Sequence, residues 1–288
     1  MQPRPRRVRV RPMRIVSYRD EGGHRAGVDT GDGVADAGAA LGRDPLTVRE
    51  LLAEELTGDL AAADGLEPVP GAKLLPPVPD PDKLICIGLN YRSHAEEAGI
   101  APPQVPTIFA KFRNALVPAG AEVKLPEASE KVDYEAEVAF VIGRRAKDVP
   151  RDDALEHIAG FMLLNDLSAR DLQFATPQWM PGKVFDGSAP CGPALVTPDE
   201  AGPHDAIEFT LELNGETMQD AVTSDLIFSI PELLAHLSSW MTLEPGDVIA
   251  TGTPSGVGSV REPRVWLRPG DEIAISSPTL GRLETRIA

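Results

Sequence analysis

The chain has 288 residues, of which 42% are hydrophobic, so it is long enough to bury a sizeable core. Its formal net charge of −16 argues against nucleic acid or an anionic membrane as a partner, because both bind basic surfaces. An anionic substrate would therefore need cations placed locally in its binding site.

The chain contains two cysteines, Cys86 and Cys191, which lie far apart in the sequence. Such a pair provides no disulfide framework and is typical of a reducing compartment, so we predict a cytoplasmic location. Free cysteines are usually buried, which favours two core residues over a reactive thiol. No stretch is long and apolar enough to span a bilayer, so we expect no membrane partner.

The first segment is rich in arginine and proline, with six arginines and three prolines between Met1 and Arg14. It lacks the apolar core of a secretory signal, and its prolines oppose the amphipathic helix of a mitochondrial presequence. We therefore predict a disordered tail over residues 1–12.

A small unit follows, in which two short apolar runs flank a Gly22-Gly23 turn and Asp44-Pro45 caps an amphipathic helix ending at Gly58. Residues 68–81 hold six prolines and indicate a linker. We predict a small α+β N-terminal domain over residues 13–75 and a second, larger domain over residues 76–288.

The larger domain begins with an apolar run, Leu84 to Leu89, that predicts a buried strand leading into a polar cluster. If Ser93 starts a helical turn, His94 and Glu97 face each other, and the carboxylate can orient the imidazole as a general base. The alternative is the start of a surface helix with ordinary charges.

Two carboxylates, Glu135 and Glu137, interrupt the apolar run from Asp133 to Gly143. Side chains two apart on a strand share a face, so these carboxylates would repel each other unless a cation lay between them. Oxygen ligands on a rigid strand suit Mg²⁺ or Mn²⁺, with Ca²⁺ as a further candidate. The alternative is a solvated edge strand.

The last third of the chain predicts a structural framework. Residues 207–213 alternate with period two before Asn214-Gly215, which is a strong hairpin signal. Ser229 and Glu232 form a predicted capping box at the start of a helix, on which His236 has a structural role. Strands outnumber helices, so the predicted class is α+β and predominantly β, a mixed β-sandwich roll with peripheral helices.

Five motifs occur in the order seen in the fumarylacetoacetate hydrolase family, which residues 80–288 resemble. They are Gly88-Leu89-Asn90-Tyr91-x-x-His94-x-x-Glu97, Asp133-Tyr134-Glu135-x-Glu137, Asn165-Asp166-x-Ser168-Ala169-Arg170-Asp171-x-Gln173, Gly182-Lys183-x-Phe185-Asp186 and Thr251-Gly252-Thr253-Pro254-x-Gly256-Val257-Gly258.

This resemblance implies a role for nine residues. Glu135, Glu137 and Asp166 would bind the metal, and Asp166 follows an apolar run, residues 160–164, that predicts a buried strand. His94 would be the base and Glu97 its partner, while Lys183 would stabilise negative charge on the substrate. Arg170, Gln173 and Thr253 would contact the substrate, although an ion pair of Arg170 with Asp171 or Asp166 is an equal alternative.

The resemblance also implies a homodimeric, metal-dependent hydrolase that cleaves a carbon–carbon bond in an acylpyruvate-type α-keto acid, as in aromatic catabolism, through an enolate held on the metal. Decarboxylation of an oxaloacetate-like acid or isomerisation of a 2-oxo-enedioate could use the same site. A metal-binding scaffold without catalysis would leave His94, Glu97 and Lys183 without a task. Val184 and Ala115 replace hydroxyl residues that are frequent in relatives, which leaves the substrate open.

Overall fold

The structure is a computed structural model that describes residues 13–63 and 65–288. The predicted tail over residues 1–12 lies outside the described residues. Strands dominate and the helices are short, which confirms the predicted class, α+β and predominantly β.

Eighteen strands are present in the described part of the chain. They are β1 Arg14–Asp20, β2 Gly23–Asp29, β3 Val34–Asp36, β4 Lys73–Leu75, β5 Leu84–Gly88, β6 Thr107–Lys111, β7 Leu116–Pro118, β8 Ala121–Val123, β9 Val132–Asp133, β10 Ala136–Ile142, β11 Ile158–Asn165, β12 Ser168–Ala169, β13 Ala189–Val196, β14 Glu208–Leu213, β15 Glu216–Val222, β16 Val248–Ala250, β17 Glu272–Ser277 and β18 Gly281–Ile287.

Seven α-helices and five 3₁₀ helices lie between these strands in the described residues. The α-helices are α1 Ala37–Leu41, α2 Val48–Ala53, α3 Arg92–Glu97, α4 Arg170–Gln173, α5 Met180–Lys183, α6 Pro198–Ala201 and α7 Ile230–Trp240. The 3₁₀ helices are Leu56–Ala63, Arg113–Ala115, Arg151–His157, Thr223–Asp225 and Gly258–Val260.

The strands form one large sheet, one smaller sheet and one short pair. The large sheet has 11 strands in the order β3-β2-β1-β13-β11-β10-β16-β5-β6, with β4 beside β1 and β7 beside β13. The smaller sheet has the order β15-β14-β17-β18-β8, and β9 pairs with β12. Strands β10 and β11 lie at the centre of the large sheet and are buried along their whole length.

The N-terminal strands belong to this large sheet. Ile15 in β1 pairs with Leu195 in β13, and Ser17 pairs with Leu75 in β4. The predicted proline-rich linker therefore contains a strand that pairs with β1. The division of the chain at residue 75 stays a prediction.

Local signals in the sequence predicted several of these elements well. Asn214 and Gly215 both have positive φ, 53° and 82°, as the tight hairpin turn between β14 and β15 requires. The capping box of Ser229 and Glu232 opens α7 as predicted. The predicted start of α2 was wrong, because its cap is Thr47, whose side chain accepts from the backbone of Glu50. Its predicted end at Gly58 was also wrong, because α2 ends at Ala53 and a separate 3₁₀ helix, Leu56–Ala63, runs through Gly58.

Both cysteines lie in the core, with 0% exposure for Cys86 and 1% for Cys191. Burial raises the pKa of the Cys191 thiol to about 12 and that of Cys86 well above its usual value. Because the thiolate is the reactive form, we expect neither thiol to react with an alkylating reagent at pH 8 in the folded protein. Mass spectrometry after labelling should show no label without denaturant and two labels with it, and labelling of the native chain would contradict the burial.

In the described residues, no helix has the length and apolar character needed to cross a membrane.

Candidate active site

The site is built where the two central strands of the large sheet end. Glu137 lies on β10, Glu135 precedes the first residue of that strand, and Asp166 follows the last residue of β11. The pairing of Ala136 with Asn165 brings these ends together. One carboxylate oxygen from each of the three residues lies within 4.8 Å of the others, and all three side chains are buried. The prediction that Glu135 and Glu137 face the same way is therefore confirmed, and the solvated edge strand is excluded.

Three buried cations contact this carboxylate triad or its neighbour. Lys183 Nζ lies 2.6 Å from Glu135 Oε2 and 2.7 Å from Asp166 Oδ2. Lys111 Nζ lies 2.6 Å from Asp166 Oδ1. An Arg170 nitrogen lies 2.6 Å from Glu135 Oε1 and 2.8 Å from Asp133 Oδ2. The three cations therefore pair with Glu135, Asp166 and Asp133, and not with Glu137.

The ionisation of the triad is uneven. Burial opposes the charge on Glu135, but Arg170 and Lys183 lower the pKa of its carboxyl to about 2. Burial, Asp166 and Glu135 together raise the pKa of Glu137 well above its usual value. Among the described residues no cation forms an ion pair with Glu137, whose Oε2 accepts the N–H of Gly252 at 2.9 Å.

This donor set fits a hard divalent cation. Three buried carboxylates with oxygen atoms this close match the ligands that Mg²⁺ or Mn²⁺ prefers. A divalent ion would also supply the positive charge that Glu137 lacks. The structure thus supports a metal site at this triad, while the identity of the ion stays a prediction.

His94 and Glu97 lie on α3, and His94 lines the cavity that Glu135 and Glu137 also line. The ring Nδ1 of His94 is 3.4 Å from Glu97 Oε2, as the spacing of three residues predicted. Glu97 also accepts the backbone N–H of Gly256 at 3.0 and 3.1 Å. The Glu97 carboxylate therefore joins α3 to the loop that carries Thr253, in addition to contacting the imidazole.

Arg170 and Gln173, both on α4, line the cavity and contact each other at 3.0 Å. The predicted alternative, an ion pair of Arg170 with Asp171 or Asp166, is wrong, because its carboxylate partners are Asp133 and Glu135. Although burial opposes its charge, Glu135 and Asp133 raise the pKa of Arg170 above its usual value. Its guanidinium is therefore a permanent cation beside the triad.

Thr253 lies in the loop after β16 and lines the cavity with 5% exposure. The loop folds tightly because Gly256 has φ +100° and a Cβ there would lie 2.1 Å from the carbonyl oxygen of Met218. Asp133 holds the end of the loop, accepting the N–H of Gly258 at 2.7 Å and that of Ser259 at 3.1 Å. One buried carboxylate therefore positions both this loop and Arg170.

The cavity that these residues share has a volume of about 560 Å³. Its walls are partly aromatic: Trp179 packs edge to face against Phe109, with ring centroids 5.7 Å apart. Gly88 lies beside them, and a Cβ at that position would lie 2.4 Å from the Trp179 ring, so a larger residue would displace the ring. Lys183 Nζ lies 4.8 Å from the centre of the Phe109 ring. The cavity thus combines charged side chains with an apolar, aromatic wall, as in many small-molecule sites.

Sequence reasoning missed the roles of three polar residues of the site. They are Lys111, Asp133 and Gln219. Lys111 is the last residue of β6 and is 2% exposed, yet it contacts Asp166 across 55 positions of the chain. Gln219 is 2% exposed and bonds to Thr253. A buried lysine or glutamine inside a strand gives no local signal of its distant partner. Both become visible only when the sheets are assembled.

Comparison with known proteins agrees with this geometry. Residues 83–288 match the family described as fumarylacetoacetate (FAA) hydrolase C-terminal. Oxaloacetate tautomerase FAHD2A, mitochondrial, from Bos taurus is 40% identical over 290 residues, covering 96% of this chain and 92% of the relative.

Two solved structures are similar over nearly the whole chain. Fumarylacetoacetate hydrolase from Exiguobacterium antarcticum has a TM-score of 0.85 at 32% identity, covering 96% of this chain and 99% of its own. The 5-carboxymethyl-2-hydroxymuconate delta-isomerase from Mycobacterium smegmatis has a TM-score of 0.76 at 33% identity, covering 96% of this chain and 98% of its own.

These relatives correct one prediction and establish the family. The predicted cytoplasmic location is contradicted, because the bovine relative is a mitochondrial protein by its name. Two buried cysteines indicate only the lack of a disulfide, which does not distinguish one reducing compartment from another. With its matching residues spanning most of the sequence, the chain belongs to the fumarylacetoacetate hydrolase family.

Proposed function

We propose that the protein is a divalent-metal-dependent enzyme that interconverts the keto and enol forms of an oxaloacetate-like α-keto acid. The observation that carries the proposal is the buried carboxylate triad, of which Glu135 and Glu137 line one cavity with Lys183 and His94. Such an arrangement places a cation site, a fixed positive charge and a base around the same substrate.

In this proposal Glu135, Glu137 and Asp166 hold a Mg²⁺ or Mn²⁺ ion. A bound ion of this kind acts as a Lewis acid toward the oxygens of an α-keto acid. All other steps depend on side chains that the structure describes.

In the keto-to-enol direction His94 takes the proton from the carbon next to the keto group, and the imidazolium then gives a proton to the keto oxygen, which becomes the enol hydroxyl. The reverse direction follows the same path. Glu97 holds the imidazole through Nδ1, which leaves Nε2 for the substrate. Lys183 stays protonated, because Asp166 and Glu135 raise its pKa above the usual value although burial opposes the charge. It therefore acts as a fixed cation near the keto oxygen and not as a base.

Arg170 and Thr253 bind the substrate carboxylate in this proposal, and Gln173 supports Arg170. Phe109 and Trp179 form the apolar wall beside this substrate site. An anionic substrate thereby finds local cations in a chain whose net charge is −16.

Keto–enol interconversion is a better supported activity than hydrolysis for two reasons. It requires a proton carrier and charge stabilisation, which the described residues supply, and it needs no water as a nucleophile. It is also the activity in the name of the bovine relative, which covers almost the full chain. Hydrolysis of a carbon–carbon bond in an acylpyruvate is the second candidate, supported by the similarity to the Exiguobacterium hydrolase.

The test is a substrate panel with metal-stripped protein, with and without added Mg²⁺ or Mn²⁺. Oxaloacetate reports tautomerisation through loss of the enol absorbance and decarboxylation through pyruvate formation. An acylpyruvate reports hydrolysis, and longer 2-oxo-dicarboxylates report isomerisation, for which the cavity of about 560 Å³ has room. Metal-dependent tautomerisation as the fastest reaction would support the proposal. Metal-independent or absent turnover of every substrate would refute it.

We also propose that the protein is a homodimer, as the resemblance to its family implies. Light scattering at micromolar concentration should give twice the mass of one chain, 30.8 kDa. A tetramer made of dimers would agree with the proposal. A single-chain mass would contradict it.

A further inference from the structure

Gln219 connects the metal-binding strand to the loop of Thr253. It lies on β15 in the smaller sheet, whereas Ala136 and Thr253 belong to the large sheet and its loop. Its Oε1 accepts the backbone N–H of Ala136 at 2.9 Å. Its Nε2 donates to Thr253 Oγ1 at 2.9 Å and to the carbonyl oxygen of Pro254 at 3.0 Å. Ala136 is the residue between Glu135 and Glu137.

The strand itself is shaped to aim this side chain. The pairing of β14 with β15 shifts between Leu211 and Glu212, so that Leu211 faces Gln219 while Glu212 faces Thr217. Met218 is the extra residue of this bulge, and its carbonyl oxygen accepts from Arg261 at 2.6 Å. Bulges often redirect a side chain next to a functional site.

The partners of Gln219 fix the orientation of its amide. A backbone N–H can only donate and a carbonyl oxygen can only accept, so Ala136 selects the Oε1 end and Pro254 selects the Nε2 end. The Nε2 end can only donate, and therefore Thr253 Oγ1 is an acceptor in this bond. The hydroxyl proton of Thr253 must point elsewhere.

The O–H bond of Thr253 can point into the cavity. Thr253 lines the cavity, and within residues 13–63 and 65–288 its hydroxyl donates to no protein acceptor. A hydroxyl in this state presents a donor to a ligand. An anionic oxygen, such as that of a carboxylate, is the matching acceptor.

We propose that Gln219 is a positioning residue that commits the Thr253 hydroxyl to donate its proton to the substrate carboxylate. The inference rests on the proposed function for the identity of the substrate as an α-keto acid. Through Ala136, the same amide also keeps the hydroxyl in register with the carboxylates of Glu135 and Glu137. Binding of the acid and binding of the metal are thereby aligned by one side chain.

A double-mutant cycle on Gln219→Met and Thr253→Val tests this role. Binding is measured by calorimetry with oxalate as the probe, in the presence of Mn²⁺, and KM and kcat are measured with oxaloacetate. Each single variant should weaken oxalate binding roughly 10-fold or more, the loss expected for a hydrogen bond to a charged group. KM should rise more than kcat falls, and Mn²⁺ affinity should stay within about twofold of the wild type.

The combined variant should bind oxalate no more weakly than Thr253→Val alone, because Gln219 acts on the ligand only through the Thr253 hydroxyl. Thr253→Ser keeps the hydroxyl and should bind oxalate like the wild type, while Gln219→Met should remain harmful in that background. Gln104→Met, at an exposed position, is the matched control and should change nothing.

Three results would overturn the proposal. They are additive losses in the combined variant, unchanged oxalate binding by Thr253→Val, and a loss from Gln219→Met that is equally large for Mn²⁺ alone. If Gln219→Met folds poorly, unchanged oxalate binding by Thr253→Val would still refute the proposal. Absence of turnover in the wild type would refute the proposed function, whereas the oxalate cycle would still test the role of Gln219.

Discussion

Replacing His94 by alanine should lower kcat for oxaloacetate tautomerisation about 10²–10⁴-fold, the usual contribution of a general base. The variant removes the imidazole that lies 3.4 Å from Glu97 at the cavity wall, but it leaves the carboxylate triad unchanged. Metal affinity should therefore be unaffected. Stopped-flow or steady-state rates at saturating Mg²⁺, together with calorimetric metal binding, measure the two quantities separately.

His236→Ala is the control for this experiment. His236 lies on α7, where its ring contacts that of Trp240 with a centroid distance of 6.5 Å, and it is absent from the residues that line the cavity. Its removal should leave kcat unchanged. If His94→Ala retained the wild-type rate, the base would have to be sought elsewhere. Hydrolysis of an acylpyruvate as the only reaction lost in His94→Ala would promote the second candidate function.

Glu137→Gln should abolish most of the thermal stabilisation that Mn²⁺ gives to the protein. At a concentration about 100 times Kd, a metal that binds only the folded state stabilises it by about 2.7 kcal/mol, or roughly 5–10 °C in Tm for a chain of this size. Glu137 accepts the N–H of Gly252 at 2.9 Å, and a glutamine at this position can still accept that N–H. It cannot provide the negative charge that binds the ion. Affinity should fall at least 10–100-fold, the loss typical of even an outer-shell change.

Differential scanning fluorimetry with a Mn²⁺ series and a chelator control measures this shift. Glu127→Gln provides the matched substitution, because Glu127 is exposed and contacts only Lys124 in the described residues. That variant should show the full metal-dependent increase in Tm. An equal increase in Glu137→Gln would show that the ion binds at another place.

The sequence predicted the parts of the site that follow from local pattern. The apolar run from Gly160 to Leu164 is the centre of β11, and the polar residue after it, Asp166, does lie at the strand end. The spacing of His94 and Glu97 places both on one turn of α3. Each of these inferences needs only the period of a helix or a strand.

The remaining contacts depend on how distant strands meet. Lys111 contacts Asp166, and Gln219 contacts Thr253, only after β6 and β15 are packed beside the central strands. The pairing of Arg170 with Asp133 spans 37 positions and replaced the local partner that its neighbour Asp171 suggested. Asp171 instead accepts from the backbone of Glu130 and Leu172. Propensity and spacing hold no information on such long-range register.

The pairing of β1 with β13 has a consequence for shortened forms of the protein. β13 lies directly beside β11, the strand that ends at Asp166, and residues of β1 such as Ile15 share a core with Leu195 and Met162. A chain that began at residue 76 would leave the Leu195 end of β13 as an unpaired, apolar edge, of the kind that recruits other chains. Aggregation on expression is therefore the expected fate of such a fragment. Strand β1 thus protects the sheet that carries the carboxylate triad from pairing with another copy of the chain.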